Sequence, residues 1–271
     1  MGDNNGYEET SYEQTGNQDQ IVGLIPAAGS GTRLGLPYPK ELQPLIRGDG
    51  YKPAAQFALE LILHSGASHV VFVVNDTKHQ LMKFFGDGHR FGADLSYVVQ
   101  EVDNEPKDSP ASAGLADALD AAYHLTRDST VFFAMADTII RPKAIFASLL
   151  EQADRSDDVV LALFRVKRPE KFGMVDLQDD GLVARIVDKP SQTDLTYAWG
   201  CMAWRPSFSS HLHKSVRAGQ GDFAAILNDA IDQGMTVRGV VFEEGRFADM
   251  GTLDEVLETE AWYRSLPESE V

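Results

Sequence analysis

The chain has 271 residues, 43% of them hydrophobic, and a formal net charge of -17 at pH 7. This length can bury the core of one large domain or two small ones, and the acidic balance argues against a general nucleic-acid or membrane-surface binder. The single cysteine, Cys201, excludes an intrachain disulfide and lies in an apolar run, which is more typical of a core residue than of a nucleophile. Because there is no secretory signal at the N-terminus and no long apolar stretch, the expected compartment is the cytoplasm.

Residues 1–20 are polar and acidic and lack hydrophobic periodicity, which predicts a disordered tail. From residue 21 onward, short apolar runs alternate with segments of helical spacing. In this first half, 21–150, strands are predicted at 21–26, 70–74, 95–99 and 130–135, and helices at 53–64, 77–85 and 112–125. Strands that alternate with helices indicate a parallel sheet with helices on both faces.

The pattern changes in the second half, 151–265. Strands are predicted at 159–166, 173–177, 183–187, 198–204 and 237–242, with one helix at 223–233 and a last helix at 253–263. We therefore expect a single domain over 21–265 with a three-layer α/β/α fold, in which one mixed, mainly parallel, Rossmann-like sheet runs through both halves. In such sheets, ligands bind at the carboxyl ends of the strands.

The first predicted strand runs into a glycine-rich loop, LIPAAGSGTRL at 24–34, followed by PKEL at 39–42. Glycines let backbone N–H groups approach an anion, and Arg33 and Lys40 can neutralise phosphates. The loop lacks the Gly-Lys-Ser/Thr of a Walker A loop, and Leu34 stands where the dinucleotide-binding fingerprint has its third glycine. The predicted ligand is a nucleoside triphosphate; a glycine-rich turn without a ligand is the alternative.

Asp137 follows the fourth predicted strand, at the edge where ligands are expected. A carboxylate there is a natural Mg²⁺ ligand, because this ion prefers one or two carboxylates together with phosphate oxygens and waters. The alternative is an aspartate that caps the following helix or turn. His211 and His213 have the spacing of a metal pair on a strand, but no further ligand cluster accompanies them, which favours surface histidines.

The stretch PAAGSGTRLGLPYPKELQPL at 26–45 resembles the signature of the sugar nucleotidyltransferases, the nucleoside-diphosphate-sugar pyrophosphorylases. In that family the loop wraps the triphosphate, and its arginine and lysine, here Arg33 and Lys40, contact the phosphates during transfer. The loop residues that the resemblance assigns to the nucleotide are Ala27, Ala28, Gly29, Gly31 and Thr32. The same stretch is also similar to the methylerythritol-phosphate cytidylyltransferases, so it indicates nucleotidyl transfer more strongly than it indicates the acceptor.

Later segments resemble further elements of the sugar nucleotidyltransferases, in the same order along the chain. The resemblance implies Mg²⁺ ligation by Asp137 and Asp249, base recognition by Gln100 and Gly114, and sugar-phosphate binding by Gly173, Asp188, Lys189 and Gly200. The long polar segment 101–111 is interpreted as a flap over the base. The cytidylyltransferase alternative gives no reason for the elements around Lys189 and Asp249.

Two positions depart from the usual pattern of that family. Asp188 stands where the family has a glutamate, and Ala136 where it has a glycine. Without the resemblance, the segment 188–190 reads as a solvated turn, Asp249 as a turn residue, and Gly200 as a strand bulge. These alternatives stay open at the level of the sequence.

The implied reaction is the Mg²⁺-dependent transfer of a nucleoside monophosphate from an NTP, with UTP or dTTP favoured, to a sugar 1-phosphate, with release of pyrophosphate. The alternatives are a cytidylyl- or guanylyltransferase acting on a different phosphorylated acceptor, and a catalytically silent regulator that binds nucleotide sugars. The expected partners are the NTP and the sugar 1-phosphate, with neither nucleic acid nor membrane. Members of the family commonly form dimers or tetramers, so a homo-oligomer agrees with the resemblance.

Overall fold

The computed structural model describes residues 20–31, 34–101 and 114–267. The predicted tail (apart from Gln20), the loop residues Thr32 and Arg33, and nearly all of the predicted flap therefore lie outside the described residues. No helix within the described ranges has both the length and the apolarity needed to cross a membrane.

Strands and helices alternate along the first half, and short strands dominate the second. The strands are β1 (Ile21–Pro26), β2 (Pro44–Arg47), β3 (Gly50–Pro53), β4 (His69–Val74), β5 (Asp94–Val99), β6 (Thr130–Ala134), β7 (Thr138–Arg141), β8 (Val159–Arg165), β9 (Gly173–Leu177), β10 (Val183–Asp188), β11 (Tyr197–Trp204), β12 (Val237–Val241) and β13 (Arg246–Asp249). The helices are α1 (Ala54–His64), α2 (His79–Phe85), α3 (Leu115–Ala121), α4 (Tyr123–Thr126), α5 (Ile145–Gln152), α6 (Pro206–Arg217), α7 (Phe223–Asp232) and α8 (Leu253–Ser265).

One mixed sheet takes strands from both halves of the chain. β5, β4, β1 and β6 lie side by side and parallel. β11 pairs antiparallel with β6 and also with β8 and β9. β8 pairs in parallel with β12, and β9 pairs antiparallel with β10, which makes nine strands among the described residues. The predicted Rossmann-like mixed sheet is thereby confirmed.

Successive residues of the central strands enter two apolar cores on opposite faces of the sheet, as the strand period of two requires. Along β6, Val131 and Phe133 belong to one core, whereas Phe132 and Ala134 belong to the other. The first core is covered by α3, α6 and α7, and the second by α1, α2 and α5. The expected three-layer arrangement is therefore present.

Two helices and two small sheets were missed at the sequence level. α5 and α6 stand where no helix was predicted, and the pairs β2–β3 and β7–β13 form separate two-stranded sheets. The idea of a strand carrying His211 and His213 is wrong, because both lie on α6. That helix begins at Pro206, a residue suited to a first helical position, but it buries only Phe208, Ser209 and Leu212, so few apolar residues mark it in the sequence.

The predicted helix 112–125 also differs from the structure. Its described part is divided at Ala122, whose N–H contacts the carbonyls of Leu119 and Asp120, and the chain continues in the short helix α4. A break of this kind falls within an apolar stretch, so hydrophobic spacing alone does not reveal it.

The small β7–β13 sheet brings β13, and with it Asp249, to the carboxyl edge of the main sheet. In its antiparallel register Asp249 lies opposite Thr138, and the N–H of Met250 donates to the carbonyl of Asp137 over 3.0 Å. A third apolar core buries Met250 together with Ile139 and anchors this corner against α1 and α8. Asp137 and Asp249 are thereby held next to each other.

Candidate active site

A cavity of about 520 Å³ lies at the carboxyl end of β6, between the two halves of the sheet. Seven residues that the sequence singled out line it: Lys40, Asp137, Gly173, Asp188, Lys189, Gly200 and Asp249. A larger groove of about 860 Å³ lies behind Phe172 and Phe247, but Asp249 is the only one of these seven residues in its wall. The smaller cavity is therefore the candidate active site.

Lys40 and the two aspartates form the charged centre of the cavity. Lys40 begins a single 3-10 turn, Lys40–Leu42, and its Nζ donates a hydrogen bond to Asp137 Oδ2. Gly31, which has a φ of 62°, packs against this lysine, since a Cβ at Gly31 would lie 3.5 Å from Lys40 Cγ. The structure thus brings the loop after β1 to the carboxylate that follows β6.

The pKa values in this centre are shifted because two carboxylates and one ammonium are buried close together. Burial, together with the neighbouring charges of Asp137 and Glu255, raises the pKa of Asp249 to about 6, and Lys40 opposes the change. Burial on its own lowers the pKa of Lys40, but the adjacent Asp137 outweighs it and leaves this pKa above its ordinary value. An added cation would therefore be stabilised between the two aspartates.

The pair of aspartates suits a metal ion whose remaining ligands come from the substrates and from water. Within the described residues, no group of three or more His, Cys, Asp or Glu side chains is placed to hold a metal by itself. Mg²⁺ needs only one or two carboxylates when phosphates and waters supply the remaining oxygens. Asp137 and Asp249 meet that requirement in the chemistry of their donor atoms, which are all oxygens.

The start of the loop after β1 is held by the sheet and by the side chain of Asn75, which directly follows β4. Ala27 donates its N–H to Val73 O over 2.7 Å, and Asn75 Nδ2 donates to Ala28 O over 2.6 Å. The position of a Cβ on Gly29 has nothing within 4 Å, so this glycine faces open space. The other two predicted loop residues, Thr32 and Arg33, lie outside the described part of the chain.

A buried ion pair beside the loop was missed by sequence reasoning. Lys78 Nζ donates to Glu41 Oε2 over 2.6 Å, and the two side chains are only 3% and 1% exposed. Burial raises the pKa of Glu41, and Lys78 opposes it. The pair attaches the turn that carries Lys40 to the loop after β4, and no local signal joins two charges 37 residues apart.

The two predicted base-recognition residues lie outside the cavity lining. Gln100 is 9% exposed, continues the β4–β5 ladder through its N–H to Val74 O, and buries its Nε2 without a hydrogen-bond partner among the described residues. Gly114 precedes α3, and its N–H donates to Asp117 Oδ2 over 2.7 Å. An unpaired buried amide is costly, so Gln100 has a donor available for a ligand atom.

The two predicted glycines of the sugar side lie against aromatic rings. A Cβ at Gly173 would overlap Nε1 of Trp199, and a Cβ at Gly200 would lie 2.8 Å from the ring of Phe164. The register of β11 against β8 also shifts at Gly200, so this residue is a bulge as well as part of the cavity wall. Only glycine leaves both the rings and the wall in place. Trp199 lines the cavity too.

Asp188 and Lys189 stand at the end of β10, at the mouth of the cavity. Asp188 lies opposite Gly173 in the antiparallel register, and Lys189 donates its N–H to Phe172 O over 3.0 Å. Lys189 has a φ of 43°, a left-handed conformation that is unfavourable for a residue with a Cβ. Its side chain is 62% exposed, and Nζ is 3.3 Å from Asp188 Oδ2, so the ammonium is available to an anionic ligand.

Two further charged residues in this region were not singled out from the sequence. Lys171 lines the cavity, and its Nζ donates to Glu255, which is buried in the first turn of α8. Lys171 lies two residues before the predicted Gly173, which was the one signal available. Glu255 lies six residues after the predicted Asp249 but matched no motif.

Comparison with known proteins gives consistent matches. The family model for nucleotidyl transferases covers residues 22–265. A glucose-1-phosphate thymidylyltransferase of Streptomyces antibioticus is 28% identical over 243 residues, which are 87% of this chain and 64% of that protein. A protein of the same name from Streptomyces griseus is 29% identical over 247 residues, again 87% of this chain and 64% of the relative. The chain thus spans 64% of the length of these relatives.

Solved structures agree on the architecture. A Bacillus anthracis protein assigned as a glucose-1-phosphate thymidylyltransferase superposes with a TM-score of 0.77 at 21% identity, over 91% of this chain and 96% of that chain. At this level of identity, the likeness shows the fold.

Proposed function

Since the chain belongs to the nucleotidyl transferase family, we propose that it transfers a nucleoside monophosphate from an NTP to a sugar 1-phosphate and releases pyrophosphate. One observation carries the proposal: a single cavity is lined by two separate lysines, Lys40 and Lys189. Asp137 and Asp249 lie with Lys40 in the charged centre of the cavity, and Asp188 lies beside Lys189. Two anionic substrates that must react with each other require two separate cationic groups.

The acceptor phosphate and the nucleotide would occupy opposite sides of the cavity. Lys189 would bind the phosphate of the acceptor, and Gly173, Gly200 and Asp188 would face its sugar. Lys40 would neutralise the α-phosphate, and the loop 27–33, which includes the predicted Arg33, would hold the departing phosphates. Gln100 and Gly114 would read the base from the adjoining edge of the sheet.

Asp137 and Asp249 would hold a Mg²⁺ ion. When bound, this ion neutralises phosphate charge and orients both substrates. The protein's own contribution is to fix the two carboxylates side by side through the β7–β13 register and to balance them with Lys40.

The reaction then needs no covalent enzyme intermediate. An oxygen of the acceptor phosphate attacks the α-phosphorus, a new P–O bond forms, and the bond to the oxygen that bridges α- and β-phosphorus breaks on the opposite side. Lys189 and Lys40 hold the reacting groups in line and offset the charge that both substrates bring.

The names of the relatives favour a thymidylyltransferase acting on glucose 1-phosphate, and the resemblance of the loop keeps a uridylyltransferase beside it. Asp188 has a shorter side chain than the glutamate usual in the family, so its reach towards the acceptor sugar is shorter. We therefore expect dTTP or UTP as the donor, and a panel of acceptors identifies the sugar.

The test is pyrophosphate release with Mg²⁺, using UTP, dTTP, CTP, GTP and ATP, each against a panel of sugar 1-phosphates. Release that requires both an NTP and one sugar 1-phosphate is the expected result, and Asp137→Asn is the inactive control. Nucleotide binding without turnover in any combination would contradict the proposal and favour a nucleotide-sensing role.

A further inference from the structure

Glu255 is a buried carboxylate for which the proposed chemistry has no use. Its side chain is 9% exposed, although it lies on the first turn of α8 near the surface. Oε1 accepts a hydrogen bond from Lys171 Nζ, and Oε2 accepts one from the N–H of Gly251 over 3.1 Å. Arg168 adds a longer ion pair, with Nη2 3.7 Å from Oε1.

The two hydrogen-bond donors come from two separate segments of the chain, each of which contributes residues to the lining of the candidate active site. Gly251 is two residues beyond Asp249, and Lys171 is two residues before Gly173. Glu255 therefore joins the loop that carries the second candidate metal ligand to the element that faces the acceptor sugar. Local geometry does not explain this link, because Lys171 and Glu255 are 84 residues apart in the chain.

The link has both an ionic part and an apolar part. The rings of Phe172 and Phe247 meet edge to face with their centroids 5.0 Å apart, and they belong to the same two segments. Burial by itself raises the pKa of Glu255, but the bonds to Lys171 and Thr252 and the charge of Arg168 outweigh it and leave this pKa below its ordinary value. The carboxylate is thus charged and fully engaged at neutral pH, where such bonds are strong.

We propose that Glu255 is a positioning residue: it ties the Asp249 loop to the Lys171–Gly173 element, so that the metal-binding and acceptor-binding walls keep a fixed separation. This inference assumes the proposed function for the site itself. Substituting Glu255 lets the two segments move apart without removing any group that contacts a substrate. It also releases Lys171 from its ion pair.

The experiment compares four variants of the full chain, one of them the double variant of Glu255 and Lys171. Glu255→Gln keeps the size of the side chain but removes its charge, and Lys171→Met removes the ammonium at the other end. The matched control is Glu258→Gln, one turn further on α8, because Glu258 is 68% exposed and forms only a long ion pair with Arg168, at 4.0 Å, among the described residues. Each variant is measured for amide hydrogen exchange in the peptide that contains Gly251, and for steady-state kinetics in both substrates.

Glu255→Gln is expected to speed exchange at Gly251 and to lower kcat/KM for the sugar 1-phosphate by about 10- to 100-fold, as for residues that orient metal ligands. The KM for the NTP should change little, and Glu258→Gln should match the wild type in both measurements. The double variant with Lys171→Met should be no worse than the more impaired single variant, because the two residues act as one unit.

Equal exchange at Gly251 in Glu255→Gln and Glu258→Gln would overturn the tie, whatever the activity. If Glu255→Gln sped amide exchange at Gly251 but left the kinetics of an active enzyme unchanged, Glu255 would have a structural role only, and its positioning role would be overturned. A wild-type chain that turns over no substrate pair would refute the proposed function instead, and the exchange measurement would still decide whether the tie exists.

Discussion

Lys40 and Asp137 form an ion pair inside the candidate active site, with Lys40 Nζ donating to Asp137 Oδ2. The two residues are 97 positions apart, and they come from the loop after β1 and the end of β6. Asp249 adds a second carboxylate close enough for Lys40 to influence its pKa. We expect a divalent cation on the two aspartates to release this ammonium to a substrate phosphate.

The first prediction concerns the side-chain ammonium of Lys40. Lys40→Met should lower kcat by about 10²- to 10³-fold, the cost of losing one preorganised charge in a site of this kind. Lys83→Met on α2 is the matched control, because Lys83 is exposed and distant from the cavity lining. Near-normal turnover by Lys40→Met, measured by pyrophosphate release, would contradict the assignment.

The second prediction is that the proposed metal site is a source of instability. Burial and the neighbouring carboxylates raise the pKa of Asp249 from 3.8, its ordinary value in an unfolded chain, to about 6 in the folded protein. This group therefore stabilises the fold at acid pH, and that contribution is lost as the pH rises through 6. Asp249→Asn should raise the Tm at neutral pH without metal, and the gain should shrink towards pH 5.

Thermal unfolding in a chelator at several pH values measures this effect. Asp254→Asn, an exposed change on the adjoining helix, is the control and should show no such pH dependence. The same Asp249→Asn protein should lack transferase activity. A lower Tm at neutral pH would show that Asp249 makes net favourable contacts, contrary to the argument from burial.

The parts of the fold that the sequence predicted well are those with continuous apolar runs. β1, β4 and β6 are central and buried, so their composition alone reveals them. The rule that ligands gather at the carboxyl edge placed Asp137 correctly beside the loop. The resemblance of that loop to the sugar nucleotidyltransferases is confirmed by the family match over 22–265. Roles of individual site residues stay predictions.

The missed features have a common physical origin. β7 and β13 have four residues each and become strands only by pairing with each other across a long sequence separation. The ties Glu41–Lys78 and Lys171–Glu255 join charges that are far apart in a chain rich in both signs. No local pattern selects one such partner among many, so only the folded structure identifies these pairs.

The third prediction concerns two separate features of Lys189, the charge of its side chain and the left-handed conformation of its backbone. Lys189→Ala and Lys189→Gly both remove the ammonium, so both should raise the KM for the sugar 1-phosphate and leave the KM for the NTP nearly unchanged. The alanine variant should be the less stable of the two by about 1 kcal/mol, because a Cβ is strained at positive φ and glycine is not.

Urea unfolding measures that difference, and Lys167→Ala is the kinetic control because Lys167 is absent from the lining of the 520 Å³ cavity. Equal stability of the two Lys189 variants would mean that the left-handed conformation is not kept in solution. An unchanged KM in both would remove Lys189 from the acceptor site.

The fourth prediction concerns the side-chain amides of Gln100 and Gln80. Gln100 Nε2 and Gln80 Oε1 are both buried without a hydrogen bond among the described residues, but only Gln100 lies at the edge assigned to the base. Gln100→Leu and Gln80→Leu should each leave the free protein as stable as the wild type or more so, because an unpaired polar group is replaced by an apolar one of similar size.

The two variants should differ once nucleotide is present. Gln100→Leu should raise the KM for the NTP by about tenfold, the cost of one hydrogen bond to a buried ligand, and should reduce the preference among the bases. Gln80→Leu should bind the NTP as the wild type does. If both variants bound nucleotide equally well, the buried amide of Gln100 would have no part in base recognition, and the donor on that edge would have to come from another group.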